Sequence, residues 1–423
     1  MVDEIKLTGT FIEGRGINFC RGCLGETLFS ALDLGELPIA NELLLSPESI
    51  PERFPLHLRV CANCGLGQVP DVVTPDRIFR DYRYLSSISS TFLKHASDFV
   101  SQQISSRSFL PGDWVLEIAS NDGYLLRNFL PSGIKAIGIE PAENVAEISR
   151  RLGIETVSDF FSNDLATDLL NQYGPPKLII ANNVMAHVPD LVDFVKGLAT
   201  LVGPDTEISI ENPSMASILT DFQFDTIYHE HYSYLSATSV EVISRMNGLE
   251  LFKVEQLPIH GGSNRYWLRK LKTTNNPEAS VGNTKNYEIN IGLFEENSWE
   301  NLSLNVKRIL RNFEVWLAGD GSNDRKIYGY GAAAKASTLL NSIDQDASNF
   351  LLGIADLSVE KQHRFMPPIG IKIISPERLA SLDPTDIVIF PWNIRSEIAS
   401  QLRLQLGNGV RMWCAIPDLH EVI

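Results

Sequence analysis

The sequence lacks any apolar run near the roughly 18 residues that a membrane-spanning helix requires. It is also short of positive charge, because 36 Lys and Arg stand against 52 Asp and Glu, a formal net charge of −16. This imbalance argues against a nucleic-acid binder, which needs a basic surface. The first residues, Met1 to Phe11, include acidic side chains and no apolar segment, unlike a secretory signal. We expect a cytoplasmic protein that binds neither membrane nor nucleic acid.

Wholesale disorder is excluded as well, because 44% of the residues are hydrophobic and only 21% are charged. At about 150 residues per domain, the 423 residues of the chain predict two or three domains. No internal repeat of short period is present. A monomer is compatible with three fused domains, although no sequence feature decides the oligomeric state.

Cysteine is scarce, but its spacing is informative. Cys20 and Cys23 form one Cys-x-x-Cys pair and Cys61 and Cys64 form a second. Two such knuckles supply four thiolates to one tetrahedral ion, so we predict a structural Zn²⁺. Four thiolates leave no open coordination position, so this zinc is not catalytic.

Other roles for the cysteines have less support in the sequence. Disulfides are disfavoured because nothing marks the protein as secreted. A thioredoxin-like redox pair needs one such motif rather than two. Cys414, the fifth cysteine, lies in a strand-like run and is expected to be a buried core residue.

From about residue 88, strand-like apolar runs alternate with helical periods, which is typical of a parallel doubly wound α/β sheet. In such sheets ligands bind beyond the carboxyl ends of the strands. Strands are predicted at 114–119, 135–140, 177–182 and 207–211, and helices at 88–104, 123–130, 142–152, 162–172 and 190–201.

Polar residues at these strand ends predict a cofactor site. A glycine, Gly123, opens the turn after the first strand, and Glu140 ends the second, where an acidic group suits paired ribose hydroxyls. Asp159 and Phe160 suit the edge and face of an adenine. The phosphate fingerprint G-x-G-x-x-G is absent, which favours S-adenosylmethionine (SAM) over a dinucleotide. The residues expected around SAM are Glu117, Ala119, Ser120, Asn121, Gly123, Glu140, Pro141, Asp159, Phe160, Asn182 and Asn183.

Plainer interpretations of these residues stay open. Glu117 is alternatively a structural or helix-capping carboxylate, and Glu140 a solvated strand end. A Rossmann dehydrogenase is the alternative to a SAM enzyme.

The densest cluster of titratable and aromatic side chains lies at residues 225–236, where Glu230 separates His229 from His231. Histidine is the side chain best suited to move a proton near neutral pH. In a strand, His229 and His231 would share one face and Glu230 the other, and a neighbouring carboxylate can orient a histidine. The alternatives are a metal held by these three residues, or histidines with a purely structural role.

The last third of the chain contains a second alternating unit. We expect a linker and the start of a helix at 272–298, then a helix at 299–318. Strands are expected at 326–329, 351–355, 372–374, 386–390 and 410–415. A glycine turn at Gly331 opens a helix in which Lys335 adds a positive charge, an arrangement that suits an anion. A tight structural turn is the alternative interpretation of Gly331. Asp356 ends the second strand of this unit, where an NAD-dependent enzyme would hold the ribose, so an oxidoreductase or epimerase is also an open hypothesis.

Together these motifs resemble the SAM-dependent C-methyltransferases of deoxysugar biosynthesis, such as the sugar C-3'-methyltransferases of antibiotic pathways. The resemblance covers essentially the whole chain. The motifs that support it are the two Cys-x-x-Cys knuckles, Pro-Ile-Ala-Asn (38–41), Val-Leu-Glu-Ile-Ala-Ser-Asn-Asp-Gly (115–123), Ala-Asn-Asn-Val-Met-Ala-His-Val-Pro-Asp (181–190), Phe-Asp-Thr-Ile-Tyr-His-Glu-His-Tyr-Ser-Tyr (224–234), His-Gly-Gly-Ser-Asn-Arg (260–265) and Gly-Tyr-Gly-Ala-Ala-Ala-Lys (329–335).

The resemblance implies a zinc-binding domain at 1–75, a class I methyltransferase domain at 76–272 and a C-terminal Rossmann-like domain at 273–423 that helps to bind the substrate. It implies a nucleotide-linked 4-keto-deoxysugar as substrate, usually a thymidine diphosphate sugar. His231 matches the catalytic base of the family, and Tyr82, His187, Tyr228 and Glu230 match positions lining its sugar site. The further substrate-binding residues we expect are Asn212, His229, Ser263, Arg265, Gly331, Lys335 and Trp392. A scaffold without catalytic activity is the alternative to an enzyme.

Overall fold

The computed structural model describes residues 18–80, 85–272, 276–319 and 325–423. Across these ranges, no helix has the length and apolar character needed to cross a membrane.

Three sheets organise the described part of the protein. The N-terminal third contains β1 (Leu28–Pro38), β2 (Arg53–Cys61), β3 (Gly67–Gln68) and α1 (Pro75–Phe79). The middle contains α2 (Ser90–Ser106), β4 (Trp114–Ile118), β5 (Lys135–Ile139), α3 (Glu143–Arg151), β6 (Glu155–Val157), α4 (Asn163–Tyr173), β7 (Leu178–Asn182), α5 (Leu191–Leu201), β8 (Glu207–Pro213), α6 (Met215–Thr220), β9 (Ser233–Tyr234), α7 (Ala237–Met246), β10 (Leu249–Leu257) and β11 (Ser263–Lys270). The C-terminal third contains α8 (Ala279–Asn290), α9 (Glu296–Ala318), β12 (Ile327–Tyr330), α10 (Ala334–Asn341), β13 (Leu351–Ala355), β14 (Ile373–Ile374), α11 (Pro376–Ala380), β15 (Asp386–Ile389), α12 (Arg395–Leu406), β16 (Arg411–Cys414) and β17 (His420–Glu421).

The middle sheet has the order β10-β11-β8-β7-β4-β5-β6. β4 to β8 are parallel, while β11 is antiparallel to both of its neighbours. A parallel sheet of this order, with one antiparallel strand inserted beside the edge strand, is the class I methyltransferase fold. The predicted fold class is therefore confirmed, and the carboxyl ends of β4, β5, β7 and β8 meet at one edge.

The other two sheets flank this one. The C-terminal sheet has the order β14-β13-β12-β15-β16-β17 and is parallel except for β17. The N-terminal sheet, β1-β2-β3-β9, takes its last strand from residues 233–234, directly after the histidine run. One hydrophobic core joins the N-terminal sheet, α9 and the C-terminal sheet. The zinc-binding end of the chain is therefore built into the rest of the molecule.

Two local predictions were wrong. A helix at 123–130 does not form, and short 3-10 turns occupy Leu126–Asn128 and Leu130–Ser132 instead. Gly123 has a φ of 77°, outside the right-handed helical region, and Pro131 lacks a backbone N–H. The segment predicted as a linker contains α8, whose buried face includes Thr284 and Glu288 and therefore gives no apolar period.

Truncating a side chain in the shared core tests its contribution to stability. Phe313 on α9 is completely buried in that core. We expect Phe313→Ala to lower the free energy of unfolding by about 3–5 kcal/mol, because it leaves a cavity. Leu304→Ala on the same helix is the control, since Leu304 is 64% exposed and its truncation should change the free energy by less than about 0.5 kcal/mol. Urea denaturation followed by circular dichroism measures both, and equal effects would contradict the assignment of this core.

Candidate active site and metal centre

The four cysteines of the two knuckles converge. Cys20 Sγ lies 3.6 Å from Cys64 Sγ, and Cys23 Sγ lies 3.6 Å from Cys61 Sγ. All four sulfur atoms lie within 4.8 Å of one another. A Zn–S bond of about 2.3 Å in a tetrahedron requires sulfur atoms about 3.8 Å apart, so the set fits zinc. The disulfide alternative fails, since these cysteines are free thiols.

Each knuckle is closed by the same backbone turn. The N–H of Leu24 donates to the Cys20 carbonyl (2.9 Å), and the N–H of Gly65 donates to the Cys61 carbonyl (2.8 Å). Both donors have left-handed backbone angles, with φ of 62° and 69°. The protein thus holds a structural Zn²⁺ in a closed four-thiolate site. Cys414 is buried elsewhere, in the C-terminal sheet, as predicted.

The loop after β4 holds several of the residues predicted to surround SAM. Ala119 and Asn121 have positive φ values of 56° and 49°, conformations that side chains other than glycine rarely adopt and that cluster at binding sites. Glu117, Ser120 and Asp122 each have a buried side-chain oxygen with no hydrogen-bond partner in the described part of the chain. Such groups are normally satisfied, so the loop has room for polar groups of a ligand.

Charge at this loop favours a cation. Burial, followed by the nearby carboxylates of Asp122 and Glu140, raises the pKa of Glu117 well above its ordinary value. Glu140 ends β5, just before Pro141, and accepts hydrogen bonds from the N–H groups of Asn121 and Ala142, both at 3.0 Å. Burial raises the pKa of Glu140 to about 7, so it is not a solvated strand end. Three buried carboxyl groups close together at these two strand ends would be stabilised by a positive ligand such as a sulfonium.

The neighbouring strand ends continue the site. Asn182 at the end of β7 has a buried side-chain oxygen without a hydrogen-bond partner in the described part of the chain. The same holds for both the nitrogen and the oxygen of the Asn212 side-chain amide on β8. Asn183 has a φ of 53° and donates its N–H to the Glu211 carbonyl (2.6 Å). Farther out, Asp159 accepts from the N–H of Phe160 (2.8 Å). The unpartnered oxygen of Asn182 fits SAM, whereas Asn212, a predicted substrate residue, has both amide atoms open to a ligand.

The histidine run forms the second part of the site. His231 Nδ1 lies 3.0 Å from the carbonyl oxygen of Thr226. A carbonyl only accepts hydrogen bonds, so Nδ1 carries the ring proton and Nε2 is an acceptor in the neutral ring. The Tyr228 hydroxyl lies 3.0 Å from Nε2 and donates to it. Burial, followed by the nearby His187, lowers the pKa of His231 well below 6.5. His231 is therefore a neutral imidazole with a defined basic atom.

His187 is held in the same way. Its Nδ1 donates to the backbone carbonyl of Glu230 (2.7 Å), which leaves Nε2 as an acceptor. Its ring centroid lies 4.7 Å from that of His231, and burial lowers its pKa to about 4. Both imidazoles are thus fixed by backbone carbonyls. Tyr82, predicted to lie beside them, falls outside the described residues.

The predicted strand at the histidines is wrong. The N–H of His231 donates to the Tyr228 carbonyl (3.0 Å), which closes a turn, so His229 and His231 point in different directions. His229 is buried and its Nε2 donates to the Phe54 carbonyl (3.2 Å). The Glu230 carboxylate accepts from the side chain (2.6 Å) and backbone (3.2 Å) of Asn41 instead of orienting a histidine. The metal alternative has no support either, since the cysteine set is the single metal-like cluster of the described chain.

The C-terminal domain contributes charged and aromatic side chains next to the histidine run. Lys335 Nζ lies 3.9 Å above the Trp392 ring and 3.0 Å from the side-chain oxygen of Asn393. The Trp392 indole N–H donates to the buried carboxylate of Asp225 (2.8 Å), next to Thr226. Burial lowers the pKa of Lys335 to about 8 and raises that of Asp225 to about 6. Lys335 thus brings positive charge close to the histidines.

The glycine turn itself is tightly engaged within the fold. Gly331 has a φ of 88°, and a Cβ there would lie 2.4 Å from Pro391. Its N–H donates to the Ala355 carbonyl (2.7 Å), and the next N–H, of Ala332, donates to Asp356 (2.8 Å). The Asp356 carboxylate, on which the dehydrogenase alternative rests, also accepts from the N–H of Ser358 (2.8 Å).

Two predicted substrate residues lie in β11, and their contacts are within the protein. Arg265 is buried and lies 2.7 Å from the Glu211 carboxylate, which also bonds His95 at 2.9 Å. The Ser263 hydroxyl donates to the Ile259 carbonyl (3.1 Å). Both residues therefore fix β11 against its surroundings.

Sequence reasoning missed three residues that hold the cluster together: Asn41, Asp225 and Thr226. All three lie in the motifs quoted above, and the polar side chains of Asn41 and Asp225 were the available signal. Thr226 acts through its backbone carbonyl, which no residue pattern reveals.

Removing a zinc ligand tests the metal centre. Cys64→Ser should lose the metal and the order of the N-terminal sheet, because the thiolates hold both knuckles. Elemental analysis and limited proteolysis measure the two effects, and Cys414→Ala is the control that should retain zinc. A metal-free protein that is fully folded would contradict a structural role for zinc.

Comparison with known proteins agrees with this architecture. Residues 20–79 match the family model of a zinc binding domain, residues 92–254 that of a methyltransferase domain, and residues 258–417 that of a C-methyltransferase C-terminal domain. The chain is 28% identical over 406 residues to C-methyltransferase NovU of Streptomyces niveus, and the match covers 96% of each protein.

Solved structures resemble only part of the chain. A SAM-dependent methyltransferase of Anabaena variabilis is 13% identical with a TM-score of 0.35, covering 46% of this chain and 88% of that one. Magnesium protoporphyrin IX methyltransferase of Synechocystis, with bound SAM, is 14% identical with a TM-score of 0.33, covering 46% and 89%. The fold assignment rests instead on the strand order, and the three matched domains together indicate a SAM-dependent C-methyltransferase with a zinc-binding domain.

Proposed function

We propose that this SAM-dependent C-methyltransferase methylates a carbon of a nucleotide-linked 4-keto-deoxysugar, with His231 as the base. The nucleotide we propose is thymidine diphosphate, following the family that the motifs resemble. The observation that carries the proposal is the tautomer of His231, whose Nδ1–H is held by Thr226 so that Nε2 faces Tyr228 and the cleft. We also propose a monomer, in keeping with three fused domains, that acts in the cytoplasm.

The chemistry begins with a proton on carbon. A ketone next to that carbon makes the proton removable, and His231 Nε2 accepts it to give an enolate and an imidazolium. The imidazolium keeps its hydrogen bond to Thr226. Before this transfer, the Tyr228 hydroxyl turns from Nε2 to the ketone oxygen of the bound substrate, which frees the Nε2 lone pair and places an O–H donor where the enolate charge develops. His187 Nε2, an acceptor, suits a sugar hydroxyl.

The cofactor residues orient the second reactant. In this proposal Glu140 binds the ribose and Asp159 with Phe160 binds the adenine, while the acidic loop at Glu117 suits the sulfonium. SAM supplies the electrophilic methyl group that the nucleophilic carbon attacks. Holding the two reactants in line supplies proximity and orientation. Lys335 is placed to attract the diphosphate.

Substituting the base tests the mechanism. We expect His231→Asn to lose methyl transfer and deuterium wash-in while SAM affinity stays near wild type, because the ring takes the proton and does not hold SAM. Mass spectrometry of the reaction in H₂O and in deuterium oxide, with a thymidine diphosphate 4-keto-6-deoxysugar, measures both. His420→Asn is the control, since His420 lies in β17 beside Asp418 and away from the cleft.

Each outcome has a distinct meaning. Deuterium exchange without a methyl gain in the wild type would indicate another sugar isomer or an epimerase. Turnover surviving in His231→Asn would show that His231 is not the base. A nicotinamide absorbance change with the sugar would support an oxidoreductase.

The low pKa of His231 predicts an unusual pH profile. A base works in its neutral form, so its rate falls as pH drops through its own pKa. The groups facing His231 are His187, His260, Lys335, Tyr228 and Tyr234, and the cationic forms of the first three push its pKa down. We expect kcat/KM for deuterium wash-in to stay level between about pH 6 and 7.5. A half-maximal rate near pH 6.5, the ordinary histidine value, would contradict this.

A further inference from the structure

An arginine inside the first zinc knuckle reaches the loop that carries the base. Arg21 lies between the zinc ligands Cys20 and Cys23. Its guanidinium side chain is only 9% exposed. Nη1 donates to the backbone carbonyl of Tyr232 and Nη2 to that of Val69, both at 2.8 Å. Both acceptors are backbone atoms, so no substitution of Tyr232 or Val69 would by itself remove them.

The contact is close to the reacting group. Tyr232 directly follows His231, and its carbonyl also accepts from the N–H of Val69 (3.1 Å). Beyond it, β9 pairs with β3. The backbone of Arg21 is tied to the same place, because its N–H donates to the side chain of Gln68 (3.0 Å) on β3. Residues 226–232 are here called the base loop. The downstream end of the base loop is therefore anchored on the zinc knuckle.

The chemistry of the side chain suits this role. Burying a guanidinium costs solvation free energy, and its ion-pair partner among the described residues, Asp71 at 3.9 Å, is half exposed. The planar fork of arginine can donate to two carbonyls at once, which a lysine ammonium on a flexible stem does not reproduce. A plain core contact between the domains would be served by an apolar side chain at lower cost.

We propose that Arg21 is a positioning residue, which transmits the fixed geometry of the zinc knuckle to the base loop and thereby sets the position of His231. The zinc site then acts on the reaction through this chain of bonds, without touching substrate. The effect on turnover rests on the function proposed above, whereas the effect on the loop does not.

The test uses Arg21→Met, which keeps the length of the side chain and removes its donors. Zinc content and SAM affinity should stay within about twofold of wild type, since neither ligand contacts the guanidinium. Amide hydrogen exchange in the peptide 224–236 should rise about tenfold, because two buried hydrogen bonds are lost. Methyl transfer should lose about 10- to 100-fold in kcat with KM little changed, as expected for a displaced base.

A second variant and a control sharpen the result. Arg21→Lys keeps the charge and should give intermediate exchange and kcat, which settles the question if Arg21→Met does not fold. Arg53→Met is the matched control, because Arg53 donates to the Glu36 carbonyl (3.0 Å) within the N-terminal sheet, and loop exchange and kcat should not change. Unchanged exchange in a folded, zinc-loaded Arg21→Lys would overturn the proposal. A wild type inactive on the keto sugar would instead overturn the proposed function and leave the exchange result standing.

Discussion

The hydrogen bond from His231 Nδ1 to the Thr226 carbonyl determines which chemistry the His231 ring can carry out. It fixes the proton on one nitrogen and leaves the other as a base, and it does so with a backbone atom whose protonation cannot change. The bond is useful only if residues 226 and 231 keep their separation. Much of the architecture serves to hold those two points of the chain in place.

All three domains contribute to that constraint. The C-terminal domain holds the upstream end, through Trp392 on Asp225 and through Thr338, whose hydroxyl donates to the Ile227 carbonyl (3.2 Å). The N-terminal domain holds the centre through Asn41 on Glu230. The methyltransferase domain adds His187, bonded to the Glu230 carbonyl. Tolerances at such a site are small, since a misplacement of about 1 Å can cost two orders of magnitude in rate.

The sequence predicted the parts of the molecule that depend on local pattern. Strands such as Leu351–Ala355 follow from apolar runs, and the cysteine spacing predicted the metal set. The turn at His231 was missed because alternating polar and aromatic residues look like a strand, while the folded chain is shaped by contacts from distant domains. The same limit explains Glu230, whose partner Asn41 lies 189 residues away. Tertiary partners of buried polar groups leave no periodic signal, and the roles assigned to individual residues at the cleft stay predictions.

The placement of β9 has a consequence for recombination of domains. Because two residues from the middle of the chain complete the N-terminal sheet, a cut at the apparent end of the zinc-binding region would leave β3 with an open edge. The domains are successive in sequence but interleaved in space. Chimeras that exchange the zinc-binding module between related enzymes would therefore need to carry the segment around residues 226–234 with it, because the module is complete only together with the histidine run.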